Sequence, residues 1–213
     1  MSPVQLSPDL VAVVRPASAV VEPVVVVDRS LAMDEPMRQS AARMRTGAFG
    51  ESGELAEITA AVRAMYKRVG IDPTKTRPSS EALLRRVRRG DEIPRINSLV
   101  DVINWCSLES QLPFGLYDLS RIDGDVALRL GAPGEEYAGI RKDTVHVAGR
   151  MTLADAAGPF GNPTSDSART MVTTATTRAL VVIFAPAPLP AAGVDRVLAL
   201  TQQRIAQFCQ AGT

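Results

Sequence analysis

Between Arg63 and Arg95 the 213-residue sequence gathers ten basic residues (Arg63, Lys67, Arg68, Lys75, Arg77, Arg85, Arg86, Arg88, Arg89, Arg95) against four acidic ones (Asp72, Glu81, Asp91, Glu92). The local excess is six positive charges on a chain of formal net charge +1, so the remainder carries −5. A patch of this kind faces anions, because each phosphate it neutralises releases counterions, a gain that shrinks as salt rises. Arg85, Arg86, Arg88 and Arg89 are its densest part and the candidate RNA contacts. No aromatic residue interleaves them, which favours a grip on backbone phosphates over base stacking. The plain alternative is an amphipathic helix with a solvated basic face, its arginines favoured near the C-terminus by the macrodipole.

A second cluster lies in GPFGNPTSDSARTMVTT, from Gly158 to Thr174, where hydroxyls and backbone amides could hold a carboxylate, an ester carbonyl or a water. Ester hydrolysis needs little more than a positioned water and a polarised carbonyl. Asp166, Ser167 and Thr170 are the candidate catalytic residues here, with Arg169 as a substrate contact. The same TSDS run also reads as an ordinary Asp-containing cap and turn. His146 is the only histidine, which leaves no imidazole pair for a metal or a His-rich site. A lone strand histidine is more often structural, although its titration range makes it the obvious proton carrier and the fourth catalytic candidate. No GxxxxGK[ST] loop and no GxGxxG fingerprint occur, so ATP-driven ligation by this chain alone is not expected. No cofactor and no metal are expected either.

Alternating strands and helices must position these groups. Leu55, Ile58, Val62, Met65 and Val69 mark one helix face closed by Gly70. A second helix starts near Pro78 and ends near Gly90, with Leu83, Leu84 and Val87 inward. A third runs from about Ser98 to Ser110, burying Leu99, Ile103 and Cys106, and Pro113 with Gly115 turns the chain out of it. Val24 to Val27 reads as a short buried strand, and Asp125 to Leu130 and Thr144 to Ala148 as half-buried ones. Ala179 to Phe184 is continuously apolar, hence a central strand, closed by Pro186, Pro188 and Pro190. Val194, Leu198, Ile205 and Phe208 give a last amphipathic helix. Residues 1 to 20 and 29 to 50 show no clear period and are expected as loops or a loosely docked arm.

This mixture makes an α+β domain, and 213 residues suffice for a single domain with its own core. Cys106 and Cys209 form neither a framework nor a metal signature, which suggests a reducing cytoplasm. No basic leader followed by an apolar stretch and no apolar run of about 18 residues occurs, so neither secretion nor a membrane partner is expected.

The stretch from Ile96 to Arg129, INSLVDVINWCSLESQLPFGLYDLSRIDGDVALR, carries a set of landmarks: Asn97, Val100, Asp101, Asn104, Leu108, Glu109, Pro113, Tyr117, Asp118 and Arg129. With these it resembles the heart of the B3/B4 domain of the phenylalanyl-tRNA synthetase beta subunit. The likeness runs from about Ser80 to Phe184, roughly half of the chain, with GPFG standing at that domain's Gly-rich turn. It implies a sandwich around a central β-sheet with flanking helices, and a cavity that in synthetases hydrolyses tyrosine misattached to the tRNA for phenylalanine. Aminoacyl-tRNA is therefore the implied partner, and deacylation without ligase activity the implied chemistry, in what reads as a free-standing module. Residue by residue, the resemblance places Arg95 (with a one-residue shift), Asn97, Asn104, Gly115, Gly161 and Ile183 in the substrate site. Gly115 stands where the family keeps a histidine and Ile183 where it keeps a glutamate. Without that carboxylate acceptor an apolar group is favoured over a phenol. The competing reading is a small-molecule binding or modifying protein that reuses the cavity without RNA; a structural adaptor is a third. The RNA reading requires the arginines near residues 85 to 95 to border the cavity mouth.

Overall fold

The computed structural model describes residues 4–46, 53–140 and 144–210. In chain order it contains β1 (Val4–Leu6), β2 (Val14–Val21), α1 (Asp34–Arg45), α2 (Gly53–Arg68), α3 (Ser79–Arg88) and α4 (Ser98–Ser110). There follow β3 (Phe114–Asp118), β4 (Val126–Leu130), β5 (Glu136–Ala138), β6 (Thr144–His146), β7 (Met151–Asp155), β8 (Gly158–Gly161), β9 (Ala179–Pro186) and α5 (Ala191–Phe208). The class is α+β, with flanking helices on a central sheet.

That central sheet has the order β2-β9-β3, both pairings antiparallel. Every residue of β9 is buried, as its unbroken apolar run requires of a strand covered on both faces. Helix α4 packs on β3, α5 on β2 and β9, and α2 on β9. A second sheet, β1-β4-β7-β8, is antiparallel except where β1 lies parallel to β4. The two sheets meet at Tyr117 of β3 and Phe160 of β8, whose rings pack edge to face with centroids 5.0 Å apart, a favoured aromatic geometry.

The N-terminal residues depart from the sequence expectation. Of residues 1 to 20, 1–3 lie outside the described residues and the rest supply β1 and all but the last residue of β2, which is no arm but a full-length partner of β9, from Val14 opposite Pro186 to Val21 opposite Ala179. Pro16 and the small residues Ala17, Ser18 and Ala19 break its apolar alternation, and an edge strand tolerates that proline because it has a free side. Val24 to Val27 is not a strand. It is an extended segment whose Val24 and Val25 N–H groups donate to Thr177 and Cys209 carbonyls at 2.9 and 2.8 Å. Helix α1 falls within the stretch expected to be irregular; Met37, Ser40, Ala41 and Met44 form its buried stripe, and Pro36 sits in its first turn, where no hydrogen bond is lost.

The start of α4 explains much of the 96–129 pattern. The Asn97 side chain accepts the Val100 N–H at 3.0 Å, an N-cap, and the Asp101 carboxylate accepts the Ile96 N–H at 2.8 Å. Arg95 locks this arrangement from outside, donating to Asp101 at 2.7 Å, to the Ser30 carbonyl at 3.1 Å and to Asp34. At the far end Gln111 adopts the left-handed conformation (φ 57°), and the Ser107 hydroxyl donates to the Leu112 carbonyl at 2.8 Å. Glu109 gathers α1, α4 and α5: it accepts from Ser40, from Trp105 at 3.1 Å and from Arg204 at 2.6 Å. Burial pulls its carboxyl up, but the Ser40 hydrogen bond and the Arg204 charge outweigh that and leave it below the usual carboxylate range.

Asp101 is completely buried, so removing its guanidinium partner strands a charge. Arg95→Ala is expected to lower stability by about 3 kcal/mol in urea unfolding, whereas Arg38→Ala, which breaks an exposed pair, changes it by less than about 0.5 kcal/mol.

Candidate ligand-binding site

A cavity of about 330 Å³ lies between α3, α4, β3 and the segment joining β8 to β9. Its floor is apolar: Leu83, Ile103, Phe114, Leu116 and Val172. Phe114 and Leu116 alternate with Gly115 and Tyr117 along β3, so the first pair faces the cavity while the second points to the other face of the sheet. The polar rim is Asn162, Thr164, Ser165 and Asp166 on one side and Ser79 and Asn104 on the other. Among the described lining residues Asp166 is the one ionisable side chain, with no histidine, cysteine, lysine or arginine.

Tyr66 and Tyr137 hold the rim between residues 162 and 166 by hydrogen bonds, and Tyr117, the third tyrosine of the chain, packs behind it. The Tyr66 hydroxyl donates to the Pro163 carbonyl at 2.9 Å and accepts from Thr164 at 3.3 Å. The Tyr137 hydroxyl donates to the Ser165 carbonyl and accepts from the Asn162 amide at 3.0 Å. Asn162 in turn accepts the Thr164 and Ser165 N–H groups at 2.8 and 2.9 Å, an Asx turn. Tyr117 is fully buried with its hydroxyl beside the Asp166 carboxylate. Burial first, and then that carboxylate, hold the phenols of Tyr117 and Tyr137 above their ordinary value, so both stay protonated donors.

A second hollow of about 670 Å³ opens against the cavity, and Ser79, Leu83, Asn104 and Thr164 line both. Lys75, Arg77, Arg86 and Arg89 supply four cations to it; Arg77 and Arg89 are paired at 3.4 and 3.3 Å with Glu81 and Asp91, which are not among its described lining residues. Helical phase decides which arginines take part. Arg86 and Arg89, three residues apart at the end of α3, line this cleft, while Arg85 and Arg88 line only a neighbouring hollow with Glu81, which Arg77 and Arg89 border as well. Two polar groups on the shared wall are uncommitted. The Asn104 amide has no hydrogen-bond partner among the described residues, and the Ser79 hydroxyl is buried without one. Such an arrangement can hold an amphiphilic molecule, its apolar part on the floor, a carbonyl or hydroxyl at the wall and an anion in the cleft.

A family model for the B3/4 domain matches residues 61–209. The chain belongs to the B3/4 domain family. Phenylalanine-tRNA ligase beta subunits resemble part of it. That of Thiobacillus denitrificans is 36% identical over 91 residues, 42% of this chain and 11% of that protein. That of Pseudomonas fluorescens is 30% identical over 93 residues, 40% of this chain and 12% of that protein. The chain thus matches only about a tenth of the length of these relatives. An N-terminal fragment of the phenylalanyl-tRNA synthetase beta subunit from Pyrococcus horikoshii covers 96% of this chain and 48% of its own length, with 12% identity and a TM-score of 0.47.

This B3/4 domain brings only some of the sequence-derived candidates to one place. Asp166 and Asn104 line the cavity, and Arg86 and Arg89 its basic neighbour. Ser167 lies behind the rim, accepting the Arg169 N–H at 3.0 Å, and Thr170 is wholly buried, its hydroxyl without a partner and its carbonyl taken by the Asp118 N–H at 2.8 Å. His146 stands on the β5–β6 ribbon, 73% exposed and 2.9 Å from Glu136, outside the cavity lining. Arg169 is turned outward to Asp155, with two contacts of 2.9 Å. Arg95 and Asn97 serve the start of α4, and Ile183 is enclosed in the central sheet, contributing nothing to the cavity wall.

Gly115 and Gly161 enclose Tyr117, not a ligand. A Cβ on either would come within 2.3 Å of the Tyr117 hydroxyl, so the ring occupies the space that side chains at those positions would need. No group of three or more His, Cys, Asp or Glu residues able to hold a metal occurs among the described residues, nor is any described helix long and apolar enough to cross a membrane. The tyrosine clamp escaped the sequence reading because Tyr66 and Tyr137 lie far in the chain from the loop they hold; only Tyr117 stood out.

Since the Tyr117 ring is immobilised by packing, Gly115→Ala and Gly161→Ala are each expected to destabilise by about 1–3 kcal/mol. Thermal unfolding and the near-ultraviolet circular dichroism of the tyrosines check this: unchanged spectra and melting would mean that the ring moves aside freely.

Proposed function

We propose that this B3/4 domain binds the aminoacylated 3′ end of tRNA and hydrolyses its ester, with the aminoacyl group in the cavity and the phosphates in the basic cleft. One observation carries the reading: the apolar cavity and the four-cation cleft share a wall made by Ser79, Leu83, Asn104 and Thr164. An aminoacyl-tRNA end has a matching order of parts, a side chain, then an ester on a ribose, then a phosphodiester. The beta subunits similar to this chain are named as phenylalanine-tRNA ligase subunits, which agrees with a tRNA partner.

The chemistry asked of the site is modest. Water adds to the ester carbonyl carbon, the bond from that carbon to the ribose oxygen breaks, and the proton lost by water ends on the ribose oxygen. Asn104 and Ser79, uncommitted within the chain and placed at the wall, donate to the carbonyl oxygen as negative charge develops there. A rim fixed by buried tyrosines keeps the ester in one place, which is most of what such a step needs.

Two measurements test this. In filter binding, Arg86→Ala/Arg89→Ala is expected to weaken tRNA binding at low salt by about tenfold and to reduce the slope of log affinity against log salt by about 2, one unit for each lost phosphate contact. Arg85→Ala/Arg88→Ala should leave both nearly unchanged, and equal effects of the two pairs would remove the cleft from the model. In deacylation of a panel of charged tRNAs, Asn104→Ala is expected to slow release of the amino acid at least tenfold. Hydrolysis no faster than in buffer for every charged tRNA would refute the catalytic part.

A further inference from the structure

We infer that Arg77 is a phosphate-binding residue of the basic cleft and that Arg63, outside the cleft, is the positioning residue that keeps it available by holding the Glu81 carboxylate. The inference rests on the reading above that the cleft takes phosphates, and it names what sets the cleft's charge. The other three cations of the cleft stand without a strong acid against them. Near Lys75, the Asp72 carboxylate accepts the Thr74 N–H and hydroxyl at 2.9 and 2.7 Å. Arg86 donates from Nε to the Glu92 backbone carbonyl at 2.9 Å, a neutral acceptor that orients the guanidinium and leaves its charge in place. Arg89 meets Asp91 at 3.3 Å with both side chains exposed, and a pair of that kind is weak. Arg77 is different. Its carboxylate, Glu81, is four residues on and partly buried, and its Oε1 lies 3.4 Å from Arg77 Nε. Closed to a full ion pair, that contact would remove one of the four charges from the cleft.

Arg63 opposes the closure. From α2 it donates through Nε and Nη2 to Oε2 and Oε1 of Glu81, each at 2.8 Å, a two-point pair that engages both carboxylate oxygens. Arg77 Nε reaches only the oxygen that Arg63 Nη2 already holds, and it makes no hydrogen bond there. The Arg63 hydrogen bond is the largest influence keeping Glu81 below the usual carboxylate range; burial opposes it, and the charge of Arg77 counts only after that of Arg63. Arg85 and Arg88 border the same hollow as Glu81 but form no ion pair with it among the described residues, so Arg77 is the cation to which a released Glu81 turns. Arg63 itself lines neither the cleft nor that hollow, whereas Arg77 lines both. Two residues before Ser79 on the shared wall, the Arg77 guanidinium is thus placed for a phosphate that follows an ester held at that wall.

The test is filter binding of deacylated tRNA to the full chain over a range of salt. Arg77→Ala is expected to weaken binding at low salt about tenfold and to lower the slope of log affinity against log salt by about 1. Arg63→Met, although outside the cleft, should weaken it several-fold, and Glu81→Gln should tighten it several-fold. The Arg63→Met/Glu81→Gln double variant should bind as Glu81→Gln does, because the carboxylate that Arg63 restrains is gone. Arg63→Lys keeps the charge but its ammonium cannot span both oxygens, so it should fall between wild type and Arg63→Met. A plain long-range effect of the lost charge would persist in the Glu81→Gln background and spare Arg63→Lys. That result, or Arg77→Ala binding like wild type, overturns the inference and leaves the cleft reading to the Arg86/Arg89 pair. Near-ultraviolet circular dichroism confirms the fold of each variant; if Arg63→Met does not fold, Arg77→Ala and a failure of Glu81→Gln to tighten binding still decide. Absence of salt-sensitive tRNA binding by the wild-type chain removes the cleft reading itself.

Discussion

Three phenol hydroxyls, from Tyr66 on α2, Tyr117 on β3 and Tyr137 on β5, converge on the five residues from Asn162 to Asp166. The rest of the site depends on this constraint. The segment is a loop with only single bridges, Gly161 to Asp166 and Gly139 to Ser167, to hold its backbone, and a loop at the edge of a cavity is ordinarily the most mobile part of a fold. Here its carbonyls at Pro163 and Ser165 are taken by buried donors, and its Asx turn uses both ends of the Asn162 amide. Thr164 and Asp166 therefore face the cavity from a defined position, and the site has a rigid polar rim over an apolar floor.

The same economy runs through the 96–129 stretch. Asn97 caps α4, Asp101 joins the Ile96 backbone to Arg95, Glu109 ties three helices, and Arg129 pairs with Glu135 at 2.7 Å. Asp118 accepts from Ser120 at 3.0 Å and from Thr176 at 2.7 Å. These residues hold backbone. A pattern built from such residues identifies an architecture, and for that reason it is a poor guide to chemistry. Asn104 differs from them, a polar side chain that the fold leaves uncommitted on the wall between cavity and cleft.

Legibility varied with the kind of interaction involved. Helices α2, α3 and α5 were readable because a buried stripe at three-four spacing decides each of them, α4 because Asn97 caps it and apolar residues fill most of its length, and β9 because a run from Ala179 to Phe184 with no polar residue has nowhere to lie but inside. Strand β2 was not readable, since at an edge only part of its face is covered and Pro16 interrupts the pattern. Val24 to Val27 misled for the opposite reason: β-branched residues at alternating burial make a strand only if a neighbour offers a ladder, and here the donors go singly to Thr177 and Cys209. The resemblance placed Gly115 and Ile183 in the site, whereas strand alternation turns Gly115 toward Tyr117 and the interior of the sheet encloses Ile183.

Sequence alone determined the α+β class, the family pattern of the 96–129 stretch and the concentration of positive charge between residues 63 and 95, because composition, local periodicity and backbone caps are properties of neighbours in the chain. Tertiary structure decided which charges and polar groups share a surface. Arg86 and Arg89 reach the cleft and Arg85 and Arg88 do not, owing to the phase of α3 against α4. Asp166 is on the cavity wall while Ser167, Thr170 and His146 are elsewhere. The clamp on the 162–166 rim draws Tyr66 from 97 residues away along the chain, a distance over which local sequence carries no information about contact.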